Sequence, residues 1–572
     1  MKEKAMKVVF LIAACVSILA VALICIFLFA NGIPAIKEIG LFDFLTGTAW
    51  KPGNHKFGIL PMILGSIYVT AGALIVGVPI GILTAVFLAK YCPKKWYRIL
   101  KGGVDLLAGI PSVVYGFFGL VVLVPMVRDT FGGNGNSILT ASLLLGIMIL
   151  PTIIETSEAA IQAVPDKYYE GALALGATHE RSVYRTVVPA AKSGILAGII
   201  LGVGRAIGET MAVIMIAGNQ ARMPAGLLKG VRTLTANIVI EMGYAADLHR
   251  EALIATGVVL FVFILIINLL FSLLKRKKVD WMANGLKKQK QKWKALAKHK
   301  SSLVLYLITI LAAAITVFVL GYLIVYILAN GIPHLKPSLF AFTYTSDNVS
   351  MMPALINTVL MTLATLIVAV PLGIFAAIYL VEYAKKGNKL VSIIRVTAET
   401  LTGIPSIVYG LFGMLFFVGY CKWGFSLLSG ALTLAIMVLP VIMRTTEEAL
   451  MAVPDSYREG SFGLGAGKLR TVFHVVLPSA VPGILSGVIL ATGRIVGETA
   501  ALIYTAGTIA KVPSSIFDSA RTLSVHMYNL SKEGLHTDES YATAVVLLVL
   551  VIAINMLSNF VARKVGKNKY GN

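Results

Sequence analysis

Twelve stretches of this 572-residue chain are apolar over a length able to cross a bilayer, and that leaves few folds open. They lie near residues 8–30, 60–89, 104–127, 137–157, 193–218 and 251–274, then near 303–328, 353–381, 395–420, 427–446, 481–507 and 541–562. A transmembrane helix needs about 20 mostly apolar residues. Hydrocarbon offers no water to unpaired backbone groups, so only helices and closed barrels span it. Strand-type alternation is absent from these runs, so the expected fold is an all-α integral membrane protein with six helices in each half. Composition agrees, with 57% hydrophobic residues against about 45–50% in soluble domains. The first run, Val8 to Ala30, ends without a small-residue cleavage pattern and reads as a retained helix, not a signal peptide.

The formal charge is +23, from 50 Lys and Arg against 27 Asp and Glu. Its distribution explains it. Basic residues gather in alternate loops: Lys2–Lys7, Lys90–Lys101, Lys167–Lys192, Lys275–Lys300, Lys385–Arg395, Arg458–Arg470 and Arg563–Lys569. That is the positive-inside pattern, which predicts cytoplasmic termini and a multi-pass protein of the cell membrane. No nucleic-acid partner is needed to account for the charge. The four cysteines (Cys15, Cys25, Cys92, Cys421) lack paired spacing, and the eight histidines are scattered. Neither set predicts a disulfide framework or a metal site.

The chain repeats itself. Asn31-Gly32-Ile33-Pro34 recurs as Asn330-Gly331-Ile332-Pro333. Gly109-Ile110-Pro111-Ser112-Val113-Val114-Tyr115-Gly116 recurs as Gly403-Ile404-Pro405-Ser406-Ile407-Val408-Tyr409-Gly410, and Arg232-Thr233-Leu234 as Arg521-Thr522-Leu523. The expected organisation is a first domain over 1–274, a basic cytoplasmic linker over 275–300 and a second domain over 301–572. With an even number of spans per half, the two are parallel repeats about an axis along the membrane normal. The basic linker would lie near anionic headgroups.

Inside the fifth run of each half sits a charged pattern, Gly204-Arg205-Ala206-Ile207-Gly208-Glu209-Thr210 and Gly493-Arg494-Ile495-Val496-Gly497-Glu498-Thr499. An arginine at the bilayer centre costs about 2.5–3.5 kcal/mol on insertion scales and usually lines a polar path. Two copies point to an anion path shared by the halves, since the planar guanidinium suits oxyanions. If each run is one helix, Arg205 with Glu209 and Arg494 with Glu498 share a face at i,i+4. Gly204/Gly208 and Gly493/Gly497 then offer small-residue faces that bring the two fifth helices together at the axis. An Arg–Glu ion pair that only locks helix packing is the alternative, and the two roles are compatible. An ionised Glu209 or Glu498 would accept a hydrogen from phosphate and repel sulfate. Thr210 and Thr499 adjoin the pattern, and the hydroxyls of Ser112, Tyr115, Ser406 and Tyr409 are further candidates for lining the path. Proline and tyrosine are also ordinary in membrane helices. Alignment at Pro151 and Pro440 sets Glu155 opposite Arg444, either a pair across the halves or two solvated charges. Arg232 and Arg521 read as loop contacts near an outer vestibule.

The most specific motif follows the fourth run of each half. It reads Val164-Pro165-Asp166-Lys167-Tyr168-Tyr169-Glu170-Gly171-Ala172-Leu173-Ala174-Leu175-Gly176, closed by Val187-Val188-Pro189. The second copy is Val453-Pro454-Asp455-Ser456-Tyr457-Arg458-Glu459-Gly460-Ser461-Phe462-Gly463-Leu464-Gly465, closed by Val475-Val476-Leu477-Pro478. This resembles the EAA loop of bacterial ABC importer permeases, with Gly171 and Gly460 replacing the usual first small residue. The resemblance implies that Glu170, Gly171, Ala172 and Gly176, with Glu459, Gly460, Ser461 and Gly465, form short helices docking on an ATPase subunit. Small residues at Ala172 and Ser461 permit close approach, and Gly176 and Gly465 let the chain turn.

With the Gly-Ile-Pro-Ser and Arg-x-x-x-Glu-Thr copies, nearly the whole chain resembles the permease of the phosphate-specific transport system, its two subunits fused. That implies two tandem six-helix domains of the type I ABC-importer kind, importing inorganic phosphate with Arg205, Glu209, Thr210, Ser112, Arg494, Glu498, Thr499 and Ser406 on the path. It implies as partners two copies of a cytoplasmic ATPase, which bind the ATP and magnesium, an extracytoplasmic phosphate-binding protein, and the lipid bilayer. Gly463-Leu464-Gly465-Ala466-Gly467-Lys468-Leu469 imitates a phosphate loop but lacks the first glycine and the final Ser or Thr. No cofactor and no catalytic residue is therefore expected on this chain. A permease for sulfate or molybdate and a secondary transporter remain rivals; paired docking loops favour the ATPase-coupled class. No nucleophile–base set supports a membrane enzyme.

Overall fold

The computed structural model describes residues 2–285, 299–385 and 387–570. Half of the basic linker, residues 286–298, lies outside the described residues. Among the described residues ten helices are long and apolar enough to span a membrane, or up to twelve if each sharply bent pair counts as one span. The bends fall where the sequence calls for them. The expected span at 104–127 is two helices, Lys94–Gly109 and Ser112–Phe118, the second continuing to Phe131. Pro111 has no N–H to offer and pushes Ile110 to φ −66°, ψ 128°, which ends the first helix. Pro405 does the same to Ile404, and there the helices Lys389–Gly403 and Ser406–Tyr420 meet at 102°.

Each half is assembled around three long helices. In the first, Leu60–Val86, Ile138–Gln162 and Lys192–Gly208 pack together; in the second, Met352–Ile378, Leu427–Met451 and Leu477–Gly497 do so. The same local chemistry recurs at matching positions. Ser137 and Ser426 cap the Ile138 and Leu427 helices by accepting from Thr140 and Ser429 N–H. Lys101 meets Glu158 at 3.2 Å, and Arg395 meets Glu447 at 2.6 Å, joining each proline-broken helix to the core. Tyr97 adds a hydroxyl donor to Glu158 at 2.7 Å. Arg444, by contrast, pairs with Glu448 on its own helix at 3.1 Å, so the pairing of Glu155 with Arg444 across the halves does not form.

The two halves exchange their first helices. The N-terminal helix, Lys2–Ile39, packs on Asp247–Gly285 of its own half and on Met352–Ile378 and Lys389–Gly403 of the other. Phe10 sits against Phe375 and Tyr383 with ring centroids at 5.4 and 5.5 Å, and Phe27 against Phe416 and Tyr420 at 4.9 and 5.5 Å. In return the His299–Gly331 helix packs on Leu60–Val86 and Lys94–Gly109. Thr84 and Thr316 share a hydrogen bond of 3.0 Å, and Tyr322 and Tyr326 flank Phe118. In lipid, such packing and interhelical hydrogen bonds replace the hydrophobic drive of soluble cores.

The exchange makes each half incomplete alone. A chain cut within residues 286–298 and co-expressed as two fragments is expected to co-purify through detergent by a tag on either piece. Deleting Lys2–Ile39 should weaken that association; unchanged recovery would remove the exchanged helix as a clasp.

Candidate anion path and docking helices

The helices carrying Arg205 and Arg494 stop in mid-membrane. Lys192–Gly208 and Leu477–Gly497 are followed by Glu209 at φ −67°, ψ 132° and Glu498 at φ −74°, ψ 133°, both extended. A new short helix then begins, Met211–Ile216 or Ala500–Ile503. The Glu209 carboxylate accepts from the N–H groups of Thr210 and Ala212 at 3.1 and 3.3 Å, and that of Glu498 from Ala501 at 3.1 Å. The acid side chains thus take up donors that a helix start leaves open. This corrects the expectation of a shared i,i+4 face, because the helix ends between Arg and Glu. No ion pair joins Arg205 to Glu209 or Arg494 to Glu498 among the described residues.

The break is held from three sides. Ser112 and Ser406 lie beside the Glu209 and Glu498 carboxylates. The hydroxyls of Thr235 and Ser524 donate to the Glu209 and Glu498 carbonyls at 3.0 and 2.6 Å. The third contact crosses the halves: a Cβ on Gly208 would stand 3.3 Å from Pro405, and one on Gly497 would stand 3.3 Å from Pro111. Each Gly-Ile-Pro-Ser turn therefore wedges against the broken helix of the opposite half. This overturns the expected packing of the fifth helices on one another. One turn earlier, Gly204 and Gly493 face open space instead.

The two arginines differ in their surroundings. Arg205 is half-buried and donates to Thr152 at 3.2 Å. Arg494 is exposed and makes no hydrogen bond or ion pair with a described residue; Val441 stands where the first half has Thr152. The tyrosines are not lining groups. Tyr115 and Tyr409 are fully buried and donate to the Leu107 and Leu401 carbonyls at 2.9 and 2.6 Å, across the proline turns. Thr210 and Thr499 are buried as well, their hydroxyls turned to the Gly208 and Gly497 carbonyls. Ser112 and Ser406 are half-buried. Sequence reasoning missed Thr152, Thr235 and Ser524; the last two sit just past the repeated Arg-Thr-Leu, which was the available signal.

At the membrane face where the Ile138–Gln162 and Leu427–Met451 helices end, two short helices stand clear of the body, Asp166–Ala174 and Asp455–Gly463. Neither has a buried residue. Leu175 is 90% exposed and Leu464 92%, and Tyr168, Tyr457 and Phe462 are exposed beside them. Glu170 and Glu459 are exposed on the same helices. No atom approaches the Cα of Gly171, Gly176, Gly460 or Gly465 from the Cβ side. Gly176 and Gly465 have φ +81° and +80°, the left-handed conformation that a turn after a helix needs. Ser461 shares a hydrogen bond with Thr471 at 2.9 Å, and Ala172 is half-buried. Both helices are tied back to the membrane body. Arg458 pairs with Glu382 at 2.9 Å and donates to the Leu450 and Val453 carbonyls at 2.8 and 2.7 Å. In the first half Tyr169 bonds His179 at 2.6 Å, and Lys90 reaches Asp166 at 3.6 Å.

Comparison with known proteins matches both halves to one family. The model described as the binding-protein-dependent transport system inner membrane component fits residues 77–280 and again 369–568. The probable ABC transporter permease protein YqgH of Bacillus subtilis is 37% identical over 47% of this chain and 90% of its own length. The phosphate transport system permease protein PstC of Mesorhizobium japonicum is 37% identical over 43% of this chain and 81% of its own. A match through both halves comes from the phosphate transport system permease protein PstA homolog of Mycoplasma pneumoniae, 27% identical over 90% of this chain and 88% of that protein.

The Gly–Pro wedge predicts a positional contrast. Gly208→Leu and Gly497→Leu overpack the contact and should each cost about 1–3 kcal/mol, lowering the thermal midpoint in detergent. Gly204→Leu and Gly493→Leu, which enter open space, should be tolerated far better. Equal losses at all four positions would discard the wedge.

Proposed function

Because the chain belongs to the family of binding-protein-dependent transport system inner membrane components, we propose that it forms both halves of the membrane path of an ATP-driven importer, with inorganic phosphate as cargo. The observation that carries this reading is the repeated break at Glu209 and Glu498, with an arginine one turn before it, Arg494 exposed and Arg205 half-buried. Two guanidinium groups beside a polar break suit a small oxyanion, and relatives named as phosphate transport permeases support phosphate in particular.

The path works by rocking of the two bundles. The contacts of Gly208 with Pro405 and of Gly497 with Pro111 act as its outer seal. In this reading the wedges close the outer end of the path, and its inner end opens to the cytoplasm. An extracytoplasmic binding protein delivers phosphate to the loops spanning 31–56 and 219–250 and their second-half equivalents. Two copies of an ATPase, which carry the ATP and magnesium, seat on the Asp166–Ala174 and Asp455–Gly463 helices. ATP-driven closure pulls these helices together. Arg458 and Glu382, with Lys90 and Asp166, transmit the movement to the spans. The wedges part, phosphate reaches Arg205 and Arg494, and reopening of the ATPases returns the path to the inward-open state. One oxygen of each Glu stays engaged in capping, so the carboxylates orient the break and leave the other oxygen to the path.

Both ends of this reading are testable. In proteoliposomes holding this chain, its ATPase and its binding protein, labelled phosphate should enter only with ATP. Losing charge-assisted hydrogen bonds worth about 1.5–3 kcal/mol each, Arg205→Gln with Arg494→Gln should cut uptake at least about tenfold while the ATPase stays bound. Uptake of sulfate or molybdate instead would keep the architecture and change the cargo. Leu175→Asp with Leu464→Asp should abolish co-purification of the ATPase without lowering the thermal midpoint, because both side chains are exposed. Retained co-purification would move the docking site elsewhere.

A further inference from the structure

The repeat fails at one buried charge. At the face opposite the docking helices, Arg232 of the first half lies in a closed network. It pairs with Glu241, donates to Asn237 at 3.1 Å and to the Asn219 carbonyl at 3.0 Å. Glu241 in turn accepts from Trp50 at 2.6 Å and meets His249 at 2.8 Å. Aligned on the Arg-Thr-Leu repeat, Arg521 is the counterpart of Arg232, His526 of Asn237 and Leu530 of Glu241. The carboxylate is gone, yet the arginine is more deeply buried, at 6% exposure.

The groups left over have one chemistry in common. Arg521 lies over the Tyr344 ring, its Cζ 4.8 Å from the centroid, and its Nε and Nη2 have no partner among the described residues. His526 is fully buried, and among the described residues both its ring nitrogens are unpartnered. Asn357 donates to the Arg521 carbonyl at 3.1 Å and the Lys511 carbonyl at 2.8 Å, and its Oδ1 accepts from no described residue. Thr522 precedes the Leu523–Glu533 helix without capping it, whereas Thr233 caps the equivalent helix of the first half. Glu533 is within electrostatic range of Arg521 but forms no ion pair with it among the described residues. A buried charge left without a partner costs several kcal/mol, so an external anion has the most to gain here. Burial and the neighbouring guanidinium hold the His526 imidazole down to about 3, leaving the ring neutral at pH 7, with one N–H donor and one acceptor.

We propose that Arg521, His526 and Asn357 form a second anion site, at the face opposite the docking helices, that takes a protonated tetrahedral oxyanion. Arg521 and one His526 nitrogen donate to its oxygens. Asn357 Oδ1 and the other His526 nitrogen accept its hydrogen, a demand that phosphate meets at neutral pH and sulfate does not. The site sits one hydrogen bond from the path, since Ser524, three residues after Arg521, donates to the Glu498 carbonyl at 2.6 Å. Phosphate arriving from outside is held here before it passes inward to Arg494. The choice of phosphate rests on the function proposed above; the presence of an anion site does not.

The test uses the purified full-length chain, with neither ATPase nor binding protein, and follows its thermal midpoint during titration with inorganic phosphate or sulfate at pH 7. Wild type and Arg494→Gln should rise with phosphate by mass action. Arg521→Gln should shift the concentration dependence at least about tenfold, the loss expected for a charged hydrogen-bonding partner. Leu530→Glu places the first half's carboxylate beside Arg521; it should raise the midpoint without phosphate and abolish the rise with it. That variant keeps the test decisive if Arg521→Gln folds poorly. An equal rise with sulfate would support the anion site and overturn its phosphate selectivity, while transport would still be judged by uptake. A rise undiminished in both Arg521→Gln and Leu530→Glu, or no rise in wild type with either anion, would overturn the site.

Discussion

Everything at the centre of this protein depends on a carboxylate closing a helix end inside the membrane. Hydrocarbon does not tolerate open backbone donors, so a chain that breaks a transmembrane helix must supply partners on the spot. Glu209 and Glu498 do so by turning back onto the first N–H groups of the following helix. The break ends the helix one turn after each arginine and gives the proline turns of the opposite half something to press against. A continuous helix would have offered none of these.

The exchange of first helices follows from the same economy of contacts. Once proline divides Lys94–Gly109 from Ser112–Phe131, and Lys389–Gly403 from Ser406–Tyr420, the shortened helices need cover on their lipid side. The Lys2–Ile39 and His299–Gly331 helices provide it from the other half, with Phe10, Phe27, Tyr322 and Tyr326 filling the seams. The two bundles are thereby kept from separating.

Duplication has not kept the halves identical, and two of the differences fall on the partners of repeated arginines. Thr152 holds Arg205 where Val441 leaves Arg494 free of a hydroxyl. Glu241 satisfies Arg232 where Leu530 leaves Arg521 without a carboxylate. Core positions, by contrast, repeat closely: Ser137 and Ser426 cap, Tyr115 and Tyr409 bridge their turns, and Lys101–Glu158 matches Arg395–Glu447. Packing constrains both halves alike, while the partners of the repeated arginines differ.

Much was legible in the sequence because its signals are local. Apolar run length set the all-helical membrane class, the repeated motifs set the two halves, and the docking motif with its glycines marked the short exposed helices. Pro111 and Pro405 were visible too, but a hydrophobic run reads the same whether or not a helix bends within it. Only the tertiary structure decided what the charged pattern does. The i,i+4 spacing of Arg205 and Glu209 predicts a shared face only if the helix continues, and the capping carboxylate ends it. Gly208 and Gly497 were correctly marked as sites of close approach, yet their partners, Pro405 and Pro111, lie far along the chain in the opposite half. Pairings of that kind depend on which surfaces meet in space, and no window of sequence contains both sides.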